Sequence, residues 1–501
     1  MLYPLQNDVR NLLDLSGFWD FCLDPEDVGE AEGWFRGLAD PRTIAVPASW
    51  NEQFQDTHDY LGTAWYARTF YVPRGWRGQR IFLRVGSANY AARVWVNGAF
   101  VGEHEGGHLP FALDVTDVVA WEAANTVAIS VNAELTPTRV PPGNVRSGIG
   151  AFMRSHPPAS FDFYPYAGLQ RPVTLYAVPE RHIADITVVT DIAGAEGVVR
   201  VRVEQAGEGG GGRVALRGED DTWEAPLAFS GGGAEAVLRV PDARFWSPDD
   251  PYLYALEVTL EDGGAVVDRY ALDVGIRTVA VDGDRLLLNG RPITYRGFGR
   301  HEDFPIHGRG LNLPLIVKDH ALLDWVGANS YRTSHYPYSE EAMWMADREG
   351  VLVVDETPAV GLFFGDGEEN VEARLQQVRQ QLAELIARDK NHPSVFMWSI
   401  ANEPMVTEGG PAAMLGQGGG VSPEAETFFS TLIAQVREAD PTRLVTVEAP
   451  MTRGPVEFLR QVDIVCEHRY TGWYTLSGHL DAAREDLAED MDRLHAMYGK
   501  P

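Results

Sequence analysis

Apolar and polar positions alternate with a period of two through the first half of the chain. Ile81, Leu83 and Val85 form one such run, Val94 and Val96 lead into Asn97-Gly98, and Val127, Ile129 and Val131 form a third. This is the pattern of half-buried strands, and Asn-Gly after such a run signals a hairpin, because both residues accept the positive φ of a type I′ turn. A second β unit begins near Ile183 and carries alternating runs at 186–190, 198–204, 236–240, 253–260 and 270–276. A Pro-bearing connection around Pro179 divides the two. The second unit has the strand spacing of a sandwich of about 95 residues. The first, at roughly 180 residues, suits a larger jelly roll.

From about residue 277 the period changes. Strand-like runs at 293–298, 329–334, 351–356, 394–400, 444–449 and 463–468 alternate with helical patterns. Val371, Leu375, Val378, Leu382, Leu385 and Ile386 recur at helical spacing, and Ser422-Pro423-Glu424 opens another helix with a cap, a Pro at its first position and an acid in its first turn. Leu487 to Tyr498 also reads helical. Strand and helix repeated this way give a parallel sheet with right-handed crossovers. Six such units without a Gly-rich nucleotide turn favour an α/β (β/α)₈ barrel of the TIM type over a doubly wound sheet. The predicted architecture is multidomain: an all-β jelly roll over 1–182, an immunoglobulin-like β-sandwich over 183–276, and over 277–501 a barrel with about six of its eight strands.

Charge narrows the partners. The 501 residues contain 42 Lys and Arg against 72 Asp and Glu, a net charge of −30, and only Lys318, Lys390 and Lys500 are lysines. Nucleic acid and anionic membranes require a basic face, so neither is expected as a partner. No stretch approaches 18 uncharged apolar residues, the N-terminus lacks the marks of a signal peptide, and two cysteines (Cys22 and Cys466) make no disulfide framework. A cytoplasmic protein is expected.

Three motifs suggest chemistry that their surroundings do not support. His104-Glu105-Gly106-Gly107-His108 matches a zinc motif that needs a helix, but two glycines and flanking strands point to a β-loop. Gly207, Gly209 and Gly212 match a dinucleotide fingerprint, but RVALRG follows where a helix is required, so a hairpin loop is expected. The Gly-rich run 409–421 has no nearby Lys to hold a phosphate and reads as a mobile loop.

Reactive groups of a barrel stand where its strands end, at the C-terminal rim. Strand one ends in Arg300-His301-Glu302-Asp303, strand two in Arg332, His335 and Tyr336, and strand three in Asp355-Glu356. Strand four ends in Asn402-Glu403-Pro404 and strand six in His468, Arg469, Tyr470, Trp473 and Tyr474. Carboxylates, imidazoles and aromatic rings together suit a sugar. Glu403, walled by aromatics, could hold its proton near neutrality and act as a general acid, or could be a structural carboxylate paired with a rim Arg. Asp355-Glu356 is a rival for the general-acid role, but reads rather as a structural pair for rim arginines. His335 lies near 301–303, but no tight His/carboxylate spacing supports a metal, and neither metal nor cofactor is expected.

Four segments, RGFGRHED (296–303), ANSYRTSHYPY (328–338), ARDKNHPSVFMWSIANEP (387–404) and HRYTGWY (468–474), closely resemble the β-glucuronidases of glycoside hydrolase family 2. GTAWYARTFYVP (62–73), VWVNG (94–98) and PYAG (165–168) extend the resemblance into the first half, so that it covers essentially the whole chain. It implies a jelly roll, an immunoglobulin-like sandwich and a barrel, a retaining β-glycosidase acting on β-D-glucuronides, and a homo-oligomer. It implies Glu403 as general acid/base, Asn402 as the neighbour that contacts the sugar 2-hydroxyl, and His335 as a sugar-contacting rim histidine. Asp162 is implied as a residue lent by a loop of the first domain, and Tyr470 and Tyr474 as rim tyrosines. Two departures stand out. The family usually has Asn where His468 stands, and the loop 360–370 is short, which suggests an open site.

The family places its nucleophilic Glu on a seventh strand, followed by an Asn-x-Lys that recognises the glucuronate carboxylate. Neither motif occurs before Pro501. The expectation is therefore a nucleophile downstream of Pro501, with the 501-residue chain a truncated and inactive piece of a longer hydrolase. The alternatives are a β-galactosidase or galacturonidase of the same family, or a carbohydrate-binding protein without catalysis.

Overall fold

The computed structural model describes residues 1–143, 159, 161–407, 420–450 and 455–501. Alternation along the first strands builds a two-sheet sandwich. One sheet orders Asn11–Asp14, Val173–Val178, Arg80–Val85 and Phe111–Asp114; the other has seven strands, with Ala88–Val96 between Gly168–Leu169 and Asn125–Asn132. Ile81, Leu83 and Val85 are buried between the sheets with Trp50, Tyr66, Val94 and Ile129. Asn97 and Gly98 both take positive φ, 53° and 78°, and Val96 pairs with Ala99 across the turn, as the Asn-Gly signal requires.

A second sandwich follows, with sheets of three and four antiparallel strands running from His182–Ala193 to Ala265–Val274. The segment Gly207–Gly210 is not a hairpin loop. It carries the chain from one sheet of this sandwich to the other, since Glu196–Ala206 pairs with His182–Ala193 and Gly233–Val240, while Gly211–Arg217 pairs with Thr222–Ala228 and Tyr254–Asp262. The His104–His108 segment is not a loop either. Most of it lies in the strand Ala99–Gly107, where His104 faces Glu384 at 3.1 Å, and His108 is buried with its ring stacked 5.0 Å from that of Tyr336.

The last part holds five parallel strands in sequence order: Gly297–Gly299, Ser330–Arg332, Leu352–Glu356, Val395–Asn402 and Leu444–Glu448. The sixth expected strand makes no ladder among the described residues. It touches the fifth at one bridge, Glu448 to Cys466, with backbone bonds from Asp463 N to the Val445 carbonyl and from Ala449 N to the Cys466 carbonyl, and side chains supply the rest: Val445 N donates to Asp463 Oδ2 and Thr446 Oγ1 donates to the Ile464 carbonyl. Helices Leu313–Trp325, Glu340–Glu349, Glu368–Asp389, Pro423–Ala439 and Leu480–Tyr498 cover this sheet, and Ser422 Oγ accepts the Ala425 N–H as its sequence position foretells. None of the helices described is long and apolar enough to cross a membrane. The 409–421 run lies outside the described residues except for Gly420 and Val421.

Both sandwiches dock on the α/β part through polar anchors set in apolar contact. Alternation turns Arg84 away from the jelly-roll core, toward helix Glu340–Glu349, where its Nη2 donates to both Glu340 oxygens at 2.8 and 2.7 Å. Asn391 completes an edge of the second sandwich, accepting the Val188 N–H at 2.9 Å and donating to the Ile186 carbonyl at 2.8 Å. Trp246 is fully buried and donates to the Asp347 carbonyl.

Removing one member of a buried ion pair strands the other charge, at a cost of about 3–5 kcal/mol. Glu340→Ala is therefore expected to lower the calorimetric unfolding temperature clearly. Replacing Arg84 and Glu340 together by Met and Leu should restore most of the loss. An unchanged transition in Glu340→Ala would show that the pair does not hold the jelly roll in place.

Candidate active site

The site starts from the way strands present side chains. Successive residues of a strand point to opposite faces, so Asp355 and Glu356 part company. Asp355 turns outward to Thr333 and to the Arg388–Asp389 pair, where burial and the Asp389 charge push its carboxyl well above the usual range. Only Glu356 serves as a partner for a rim arginine. It is fully buried and accepts from Arg332 Nη1 at 2.9 Å on both oxygens, from Ser399 Oγ at 2.6 Å, and from His335 Nδ1 at 2.7 Å. Burial alone would raise its pKa, but the charges and hydrogen bonds of Arg332, His335 and Ser399 outweigh burial and hold it far below the ordinary value.

Arg332 is the hub. Besides Glu356, its Nη1 reaches Asn402 Oδ1 at 3.0 Å, and its Nη2 stands 3.3 Å from His468 Nε2. With His335 Nδ1–H directed at Glu356, His335 Nε2 faces the opening, 3.8 Å from Asp162 Oδ1. A carboxylate behind an imidazole fixes its tautomer and orientation in this way.

Asp162 belongs to a jelly-roll loop pinned to the rim. Tyr166 donates to Asp303 at 2.6 Å, Arg309 donates to the Tyr164 carbonyl and stacks 3.8 Å over Tyr336, and Phe163 packs edge-on against Tyr336. Asp162, His301, His335, Asn402, Glu403, His468 and Tyr470 thereby line one open cleft of about 350 Å³, within the size range of small-ligand sites. Asp162, His301 and His335 each offer a donor atom, all within 4.8 Å of one another, the one group among the described residues that could converge on a cation. Two imidazoles and a carboxylate serve equally as partners for sugar hydroxyls. The arginines lining the cleft are already paired, Arg332 with Glu356, and Arg469 with Glu467 and Asp490.

Glu403 ends the fully buried strand Val395–Asn402 with φ at +46°, a left-handed conformation that an L-residue adopts at a cost of about 1–3 kcal/mol. Its N–H donates to the Glu448 carbonyl at 2.9 Å. Its Oε1 accepts from His468 Nδ1 at 2.7 Å and from Tyr470 Oη at 2.5 Å. This corrects the expectation of a carboxyl kept protonated by apolar walls. Burial does push it up, but hydrogen bonds from His468 and Tyr470 and the charges of His468 and His335 outweigh that and hold it below the ordinary glutamate value. Tyr474 is not in the cleft wall. It is largely exposed behind Tyr470, ring centroids 5.1 Å apart, and stacks on Trp473. Sequence reasoning missed Glu448, which lies 3.4 Å from His468 Nε2. It ends the fifth strand, the one strand end left out of the rim survey, and the same rule would have found it.

Comparison with known proteins places these groups in context. Residues 12–179 match the glycosyl hydrolases family 2 sugar binding domain, 181–277 match glycosyl hydrolases family 2, and 279–501 match the family 2 TIM barrel domain. The chain is 40% identical to a β-glucuronidase of Paenibacillus borealis over 519 aligned positions, covering all of this chain and 83% of that protein. It is 39% identical to the β-glucuronidase of Canis lupus familiaris, covering 78% of it. The crystal structure of Ruminococcus gnavus β-glucuronidase superposes with a TM-score of 0.90 at 36% identity, over all of this chain and 84% of that one. The complex of a Ruminococcus gnavus β-glucuronidase with D-glucuronic acid gives 0.88 at 36% identity, over 99% of this chain and 82% of that one.

The Glu356 cluster predicts an acid dependence. Its folded pKa lies below the ordinary 4.5, so its contribution to stability is complete above that pH and is lost as pH falls toward the folded value, where the carboxylate takes up a proton. Glu356→Gln should lower stability at neutral pH and flatten the fall below about pH 4.5. Denaturant titrations at a series of pH values read both. Parallel acid slopes for the variant and the wild type would sink the assignment.

Proposed function

Because the chain belongs to glycosyl hydrolase family 2, we infer that it is a β-glucuronidase, a glycosidase that hydrolyses β-D-glucuronides. The carrying observation is the place of Glu403: at the end of the fourth barrel strand, beside Asn402, facing a cleft that Asp162 and His335 enter from the other side. In this reading Glu403 is the general acid/base. It protonates the departing glycosidic oxygen and then takes a proton from the attacking water. Hydrolysis proceeds with retention, which requires a second carboxylate about 5–5.5 Å away as nucleophile.

The remaining groups position the sugar. Asp162 and His335 Nε2 present two hydrogen-bonding groups to adjacent hydroxyls, supported by their 3.8 Å separation. Asn402, whose Oδ1 is held by Arg332, keeps its amide for the 2-hydroxyl. Tyr470 bonds the acid/base directly, while Tyr474 with Trp473 forms an exposed aromatic shelf that meets the aglycone. No cofactor takes part. The proposed units are 1–182, 183–276 and 277–501, in keeping with the bounds of the three family matches. Cytoplasmic residence and assembly of like chains complete the proposal; Cys22 and Cys466 are both free thiols, as suits a reducing compartment.

Proton donation by a positioned side chain contributes about 10²–10⁴-fold. Glu403→Gln in the full-length protein is expected to lose that factor in kcat on an alkyl glucuronide, and far less of it in the first step on a glucuronide with an activated phenolic leaving group. Near-normal turnover of the alkyl glucuronide by the variant would overturn the role of Glu403.

A further inference from the structure

We propose that His468 is a positioning residue that shares a single proton with Glu403, so that the two side chains act as one acid/base unit. The inference rests on the acid/base role of Glu403 and extends it.

The geometry is that of a built pair. His468 Nδ1 stands 2.7 Å from Glu403 Oε1, and its other nitrogen is 3.4 Å from Glu448 Oε2. The imidazole is thus flanked by carboxylates from the ends of two adjacent strands, the fourth and the fifth. Opposing them is the guanidinium of Arg332 from the second strand, 3.3 Å from Nε2. Tyr470, on the same segment as His468, donates to the same Glu403 oxygen, and the charge of His335 reaches Glu403 across the cleft. Arg332 already serves Glu356 and Asn402, so Glu448 and Glu403 dominate the imidazole. Burial lowers the imidazole pKa, but hydrogen bonds to Glu403 and Glu448 outweigh it and raise the value to about 9.

The ion pair at 2.7 Å places the available proton on the imidazole. Against burial, hydrogen bonds from His468 and Tyr470 and the charges of His468 and His335 hold the Glu403 carboxyl low, so within the pair the carboxyl has no proton of its own to give at neutral pH. The pair does have one. When two groups interact strongly, the last proton is lost at a macroscopic pKa that belongs to both and lies at or above the value either group has when the other is deprotonated. The proton passes from His468 Nδ1 to the Glu403 carboxyl, and from there to the glycosidic oxygen as its bond to the anomeric carbon breaks. The bonding electrons leave with that oxygen. Carboxylate and neutral imidazole remain, and the water that later attacks returns its proton to the pair. The competent form therefore persists until the imidazole loses its proton, and the alkaline limb of activity is set by His468.

His468→Asn and His468→Gln, made in the full-length enzyme, test this through the pH profile of kcat/KM on an alkyl glucuronide. The wild-type alkaline limb is expected near the His468 value, and in both variants it should move at least about two pH units to the acid side, toward the value of a lone buried glutamate. A merely structural histidine would lower turnover without moving the limb. Nitrogen-15 NMR of histidine-labelled protein reads the pair without turnover: His468 should be doubly protonated at neutral pH, and Glu403→Gln should lower its midpoint by about one unit or more. A wild-type His468 that titrates at the ordinary imidazole value, or an alkaline limb left in place or moved upward in the variants, would overturn the shared proton. Absence of any glucuronide hydrolysis by the wild type would instead fall on the proposed function, because the NMR titration does not depend on it.

Discussion

The buried ion pair of Arg332 and Glu356 is the constraint on which the cleft depends. A carboxylate with no exposed surface must be neutralised and fully hydrogen-bonded, and Glu356 meets that demand by drawing in groups from three other places: Arg332 from the second strand, Ser399 from the fourth, and His335 from the turn after the second. Each is fixed as a result. Arg332 in turn holds Asn402 and stands beside His468. One buried charge at the end of the third strand thus orients the polar groups at the ends of the second and fourth strands and places Arg332 beside His468, and the groups that face the ligand inherit their positions from it.

The second requirement is that the jelly roll dock on the rim. Arg84 and Glu340, the stack of His108 on Tyr336, and Arg309 between Tyr164 and Tyr336 join the two parts through buried and half-buried contacts. Their effect is to place Asp162 within reach of His335. The zinc-like sequence at 104–108 has its explanation here: its two histidines face the α/β part, His104 toward Glu384 and His108 onto Tyr336.

Much of the architecture was legible in the chain because hydrophobic periodicity records which face of each element is buried. The alternating runs became strands, the 371–386 pattern became a helix, and Ser422-Pro423 became a helix start. Failures came where side chains stand in for part of the backbone pairing and where the chain changes sheets. The 463–468 segment reads as a strand, yet Asp463 and Thr446 take up bonds that a ladder would use. Gly207–Gly210 reads as a hairpin, because a local pattern does not say whether the next strand joins the same sheet.

For the site the division is sharper. Residue types at strand ends marked Glu403, Asn402, His335, His468 and Tyr470, since a strand followed by polar residues fixes where they emerge. Resemblance, not periodicity, marked Asp162. The sequence by itself determined which elements form and which reactive side chains stand at the rim. Only the tertiary structure decided that Asp355 and Glu356 face opposite ways, that Glu448 sits against His468, and that Glu403 carries a partner that keeps it ionised. The reason is physical: strand and helix periods are set by neighbours along the chain, whereas the protonation of a carboxylate is set by charges a few ångströms away in space, as His468 is brought to Glu403 from 65 positions along the chain.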